Sequence, residues 1–188
     1  MKIQNLLLIS ILTISVGVVS CTSKKQKIAD EILKEEQGLY SDSSMTPDPL
    51  KAKNVIQLYA SFADQFPEDT MSANYLFKAG DISSKINEID QAIQFFNKLL
   101  QKYPDNRNAP FALFLQGFIY ENQAGNPAKA KPYYEEFLKK YPDHPIAGDV
   151  TFSLENLGKS PEELIREFEK KNPTDSTFVT DSSMTSAK

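Results

Sequence analysis

Tryptophan is absent from this chain of 188 residues, and cysteine and histidine occur once each, as Cys21 and His144. A single cysteine excludes an intramolecular disulfide, so the fold rests on packing. One histidine without a second His or Cys cannot complete a metal set, and neither a metal nor another cofactor is expected. His144 falls in Tyr141-Pro142-Asp143-His144-Pro145, where a turn or cap role suits it better than general-base duty. No glycine-rich phosphate loop, His-Glu-x-x-His helix or Gly-x-Ser-x-Gly elbow occurs, which removes the commonest phosphate, zinc and acyl-transfer chemistries. The adjacent carboxylates Glu35-Glu36, Glu135-Glu136 and Glu162-Glu163 would point about 100° apart on a helix. They are therefore solvated faces and first-turn dipole partners, not acid/base pairs. A net charge of −4 with no clustered basic face gives no footing for nucleic acid. An enzyme is not expected.

What the chain does have is periodicity. Pro67, Pro104 and Pro142 each follow an aromatic residue (Phe66, Tyr103, Tyr141) at spacings of 37 and 38. Twelve residues before each proline stand Val55, Ala92 and Ala130; nine before, Leu58, Phe95 and Tyr133; eight before, Tyr59, Phe96 and Tyr134; five before, Phe62, Leu99 and Phe137. That i, i+3, i+4, i+7 recurrence is the apolar stripe of an amphipathic helix. Each helix must stop at its proline, which disfavours the α region for the residue before it and lacks a donor.

A second helix begins after each proline. Phe77, Phe114 and Phe152 share one register position, Leu76 and Leu113 another, and Gly80 and Gly117 a third. Asp69 or Thr70, Asn108 and Asp143 are expected to cap these helices, with Pro110 and Pro145 in first turns. The extra residue of the second period falls between Gly117 and Ala130, in an inter-helix turn where insertion is cheap. The predicted fold is all-α, a short solenoid of antiparallel helix pairs. Its eight helices run over about 26–38, 49–66, 70–84, 88–103, 109–122, 127–141, 145–157 and 161–171. Pro132 inside the sixth requires a late start or a kink. Ser160-Pro161-Glu162-Glu163 reads as a capping box opening the last helix, whose Leu164, Ile165 and Phe168 are expected to close the core.

The run Ala92-x-x-x-Phe96-x-x-Leu99-x-x-x-x-Pro104, repeated as Ala130, Tyr134, Phe137 and Pro142, resembles the second helix of a tetratricopeptide repeat. Gly80 and Gly117, the latter with Tyr120 three residues on, resemble that repeat's first helix. Gln116 stands where the repeat carries leucine, and the final pair lacks the small residue. The resemblance covers roughly residues 50–158 and implies a right-handed solenoid that binds other proteins. Phe137-Leu138-Lys139-Lys140-Tyr141-Pro142-Asp143-His144-Pro145 is similar to repeats in bacterial envelope lipoproteins, notably the β-barrel assembly lipoprotein and the Tol-Pal-associated periplasmic proteins.

The N-terminus supplies an address. Met1-Lys2 precedes an apolar stretch from Leu6 to Val19 that ends in Val18-Val19-Ser20-Cys21. This resembles a lipoprotein signal and lipobox, with residues 1–20 removed and Cys21 carrying fatty acyl chains. Thr22 after that cysteine implies outer-membrane delivery in the families it resembles, with the body facing the periplasm. The remaining division is a tether with a short helix and linker over 21–48, the repeat domain over 49–172, and a tail over 173–188. Eight of the tail's last fifteen residues are Ser or Thr, a composition that reads as disordered.

In tetratricopeptide proteins the first helices line the inner wall of the stack, and the resemblance carries those positions onto Asn74, Phe77 and Asp81; Phe111, Phe114, Phe118 and Glu121; and Asp149, Phe152 and Asn156. Phe77, Phe114 and Phe152 recur and are expected in the core. Phe111 and Phe118 have no aromatic counterparts and are expected as exposed anchors, with Asn74, Asp81 and Glu121 fixing register by hydrogen bonds. The expected function is a protein–protein scaffold in envelope or outer-membrane protein assembly or maintenance. A glycan- or substrate-capturing lipoprotein is the rival, marked by an exposed aromatic row; a polar groove with one or two Phe would favour peptides.

Overall fold

Phe66, Tyr103 and Tyr141, the residues ahead of the three prolines, leave their helices with nearly identical geometry, φ −130°, −135° and −132° and ψ 57°, 57° and 53°. Each carbonyl then accepts the amide three residues on, from Asp69, Asn106 and His144 at 2.9, 3.0 and 3.1 Å. One turn is thus built three times from one sequence device, steric exclusion of the α region before proline. It sets the phase of the array.

The computed structural model describes residues 24–40 and 46–171, and all secondary structure among them is helical. The helices are α1 (24–36), α2 (Pro49–Gln65), α3 (Thr70–Lys85), α4 (Ile89–Lys102), α5 (Ala109–Asn122), α6 (Pro127–Lys140), α7 (Ala147–Glu155) and α8 (Pro161–Lys171). Packing is sequential: α2 on α3, α3 on α4, α4 on α5, α5 on α6 and α6 on α7. This nearest-neighbour pattern defines a solenoid, each unit burying its apolar face against the next. Among the described residues no helix is long and apolar enough to cross a membrane.

The core is a row of three clusters. Ile32 and Leu39 join Val55, Ile56, Tyr59, Phe62 and Tyr75 in the first. Leu76, Ile93, Phe96, Leu99, Ala112 and Ile119 form the second, and Leu113, Tyr134, Phe137 and Val150 the third. The α1 helix is thus packed into the array, and Lys25 ties it to the α3 N-terminus through Asp69 at 3.0 Å. Two glycines set the helix crossings. A Cβ on Gly80 would stand 2.6 Å from the Phe96 ring, and one on Gly117 would stand 2.6 Å from the Tyr134 ring. Only a bare backbone admits those aromatics.

Several local expectations need correction. Asp69 caps α3 by accepting the Met71 amide at 2.8 Å, but Asn108 makes no capping bond and α7 starts after Ile146, not at Asp143. Pro145 therefore lies in the turn ahead of α7. The α6 helix begins at Pro127 and runs through Pro132, which excludes a late start. The added residue of the second period is accommodated at a left-handed turn: Asn87 (φ 62°) follows α3 and Gly125 (φ 56°) follows α5, positions open to Asn and Gly.

The last pair differs most. Its capping box forms, with Ser160 N donating to Glu163 Oε2 at 2.8 Å and Glu163 N to Ser160 Oγ at 3.2 Å. Yet α8 buries no residue, and Ile165 and Phe168 are 59% and 62% exposed. The expected closure of the core by these residues does not occur. Phe152, expected in the core, is 63% exposed. Two sequence differences accompany this: Glu155 occupies the register position of Gly80 and Gly117, and the position that holds Phe96 in the first pair, sixteen residues after the glycine, is Lys171 in the last.

Candidate functional site

The first helices α3 and α5 are bridged at both ends by polar side chains. Asn108 Nδ2 donates to Asn74 Oδ1 at 3.0 Å, and Gln123 Nε2 donates to Ser84 Oγ at 2.8 Å. They tie two repeats together at both ends, while Leu76 of α3 and Ala112 and Ile119 of α5 share one buried cluster. On α5, Phe111 and Phe118 are 40% and 41% exposed. Phe111 sets its ring against the edge-on ring of His144, centroids 5.2 Å apart, and Phe118 leans on Phe114 at 6.0 Å. Phe77 and Phe114 are partly buried and pack against the second and third clusters. Each anchor is therefore braced from one side and open on the other.

Asn74, Asp81, Glu121 and Asn156 carry internal bonds. Besides the Asn108 bond, Asn74 makes a long contact to Met71 Sδ, 3.8 Å. Asp81 accepts Lys85 Nζ at 2.7 Å. Glu121 accepts the buried Tyr134 hydroxyl at 2.6 Å. Burial first, and then that bond to a carboxylate, push the Tyr134 hydroxyl well above the ordinary tyrosine range. Asn156 Nδ2 donates to the Phe152 carbonyl at 2.8 Å, and Asp149 lies in the first turn of α7. Asn74 is joined to α5 through Asn108, Glu121 turns to Tyr134 on α6, Phe111 to His144, and Asp81 lines the space beside Glu36 and Tyr40. Cys21 lies outside the described residues.

A second polar constellation went unread in the sequence because it joins three helices. Glu36 on α1 accepts the Tyr59 hydroxyl from α2 and Lys78 Nζ from α3, the latter at 2.7 Å. Burial pushes the Glu36 carboxyl up, but the Lys78 and Tyr59 hydrogen bonds and the Lys78 charge outweigh it and hold the group below its ordinary value. Burial and Glu36 raise the Tyr59 hydroxyl in turn. Beside them a cavity of about 260 Å³ is lined by Leu39, Tyr40, Asp81 and Ile82. The arrangement clamps α1 to the array; every partner in it is already satisfied by another member. Among the described residues no group of three or more His, Cys, Asp or Glu is disposed to hold a metal.

A third feature is a cleft of about 500 Å³ between α7 and α8, walled by Phe152, Leu164, Ile165 and Phe168. Sequence periodicity marked the break, through the missing glycine, without indicating that a cleft would open there.

The comparison with known families bears on the central pairs. No curated protein matches the chain. A family model described as Tetratricopeptide repeat matches residues 75–106 and 111–144, the hairpins α3–α4 and α5–α6, which carry Gly80, Gly117 and the bridged wall. Those two segments are thus similar to tetratricopeptide repeats, within an all-α stack of hairpins.

Proposed function

We propose that the protein is a lipid-anchored scaffold that captures an extended or helical segment of other envelope proteins on the wall formed by α3, α5 and α7. The observation that carries this reading is the pair of braced, part-exposed rings, Phe111 and Phe118, on a wall whose α3 side is polar. Rigid aromatic anchors beside hydrogen-bonding side chains suit peptide capture. The lipobox-like Val18-Val19-Ser20-Cys21 supports attachment through acylated Cys21, and Thr22 supports an outer-membrane, periplasm-facing address in assembly or maintenance of the envelope.

Glycan capture is the second reading, favoured by Phe152 joining Phe111 and Phe118 as an exposed ring. Phenylalanine lacks the polar tip that helps Tyr and Trp grip sugars, which places this reading second.

A photocrosslinking residue at Phe118 in intact cells is expected to yield discrete protein adducts that Phe111→Ala reduces, while the same residue at Lys131 on α6 yields none of them. Helicity and melting should stay nearly unchanged in the Phe111→Ala/Phe118→Ala variant. Sugar-containing adducts in place of protein would favour the second reading, and a large loss of stability would assign both rings to the core. Cys21→Ala is expected to release the protein from the membrane fraction.

A further inference from the structure

The geometry points to the α7–α8 cleft as the seat of this chain's own Phe178-Val179. The last pair lacks both halves of the earlier device: where Gly80 and Gly117 let an aromatic from the paired helix slot against bare backbone, α7 carries Glu155 and α8 carries Lys171 in the place of the first pair's ring. What remains is an apolar space of about 500 Å³ between Phe152 on one side and Leu164, Ile165 and Phe168 on the other. Lys159 and Lys171 stand on its rim with Glu155 and Glu167, and Lys159 is paired with Glu167 at 2.8 Å. A space of that size, apolar inside and charged at the edge, fits one aromatic ring with an aliphatic neighbour.

The segment after α8 supplies that pair within reach. Lys171, the last residue of α8, is itself on the rim, and Phe178 follows seven residues later. Seven extended residues span about 24 Å, and the eleven-residue α8 is about 16 Å long, so the strand can turn back along the whole cleft. Phe178 is the only aromatic outside the described residues, and it stands next to Val179 in a stretch otherwise dominated by Ser and Thr. Asp175 and Asp181 bracket the pair at three residues on either side of Phe178, opposite in charge to Lys171 on the rim. Tethering makes the contact intramolecular, with an effective concentration on the order of millimolar, so one seated ring suffices without a large interface. The seated pair covers the end of the array, doing there the work that a glycine and a buried ring do in the central repeats.

The absence of tryptophan makes the test direct. In the full chain, Phe178→Trp is expected to give blue-shifted emission and several-fold weaker acrylamide quenching than a free peptide of residues 172–188 carrying the same Trp. Both effects should persist over a hundredfold dilution. Adding Ile165→Ser and Phe168→Ser should return emission and quenching to the free-peptide values. Peptide-like emission in the full chain overturns the proposal. So does burial lost on dilution, which assigns the cleft to a second copy or the tail to another chain's cleft. Burial that survives both α8 changes overturns it too, by placing the ring elsewhere. If the α8 variant loses helicity, Phe152→Ser on the opposite wall decides: free-peptide emission supports the cleft, and a retained blue shift overturns it.

Discussion

Gly80→Ala and Gly148→Ala make the same chemical change, and the structure gives them opposite signs. At Gly80 the new methyl would lie 2.6 Å from Phe96 Cε1 and 2.8 Å from Cδ1 and Cζ, against about 3.5–4.0 Å for a relaxed carbon contact. The ring has nowhere to go: Phe96 is fully buried and tilted against Phe77 at 5.8 Å. Helices α3 and α4 must therefore separate by about 1 Å or the ring must leave its rotamer, an overpacking penalty of roughly 1–3 kcal/mol. Removing a helical glycine returns about 1 kcal/mol. The net is a loss of up to about 2 kcal/mol, expected toward that end because three ring atoms clash together. At Gly148, in the first turn of α7, nothing lies within 4 Å of the same methyl, so the propensity gain of up to about 1 kcal/mol stands alone. Urea unfolding followed by far-UV circular dichroism reads both, with the m-value as a check that the denatured state is unchanged. Phe96→Leu in the Gly80→Ala background should relieve the clash and reveal a coupling of at least about 1 kcal/mol in a double-mutant cycle. If both alanines raise the midpoint, or the cycle shows no coupling, the ring-on-glycine account of the crossing is wrong.

Two further outcomes follow from buried polar groups. Gln116 is fully buried, its Nε2 donating to Asn97 Oδ1 at 2.7 Å while its Oε1 has no hydrogen-bond partner; Gln116→Leu is expected to raise the urea midpoint by the equivalent of about 1 kcal/mol, and a lowered midpoint would show that the Asn97 bond outweighs the orphaned oxygen. Glu36 titrates below its ordinary 4.5 in the folded chain, so its contribution is complete above that value and disappears as pH falls through the depressed folded pKa. Melting scans between about pH 6 and pH 3 should therefore show the advantage of the natural chain over Glu36→Gln shrinking with acid, and parallel curves would count against the clamp.

Repetition is what made the fold legible from residues alone. Three aromatic-proline pairs in phase forced three identical helix ends, and matched apolar positions defined faces that only stacked hairpins can bury. Gly80 and Gly117 were readable as crossing points because they recur against Phe96 and Tyr134. The exposure of Phe111 and Phe118 was readable for the opposite reason, since side chains that do not recur are not demanded by the repeat. Contacts between non-equivalent helices left no such trace. The Glu36–Tyr59–Lys78 clamp, the Tyr134–Glu121 bond and the Asn108–Asn74 bridge each join residues 13 or more positions apart, and no period relates them.

The amino-acid sequence by itself determined the helix class, the phase of the array and the turn at each proline, because local sterics and apolar periodicity act within a few residues and repeat. Tertiary structure alone decided the fate of the last pair. The last pair has Glu155 in place of the crossing glycine and Lys171 in place of the first pair's buried ring, and whether such helices splay or repack depends on all neighbouring volumes at once. That choice left Phe152, Ile165 and Phe168 lining an open cleft instead of a closed core.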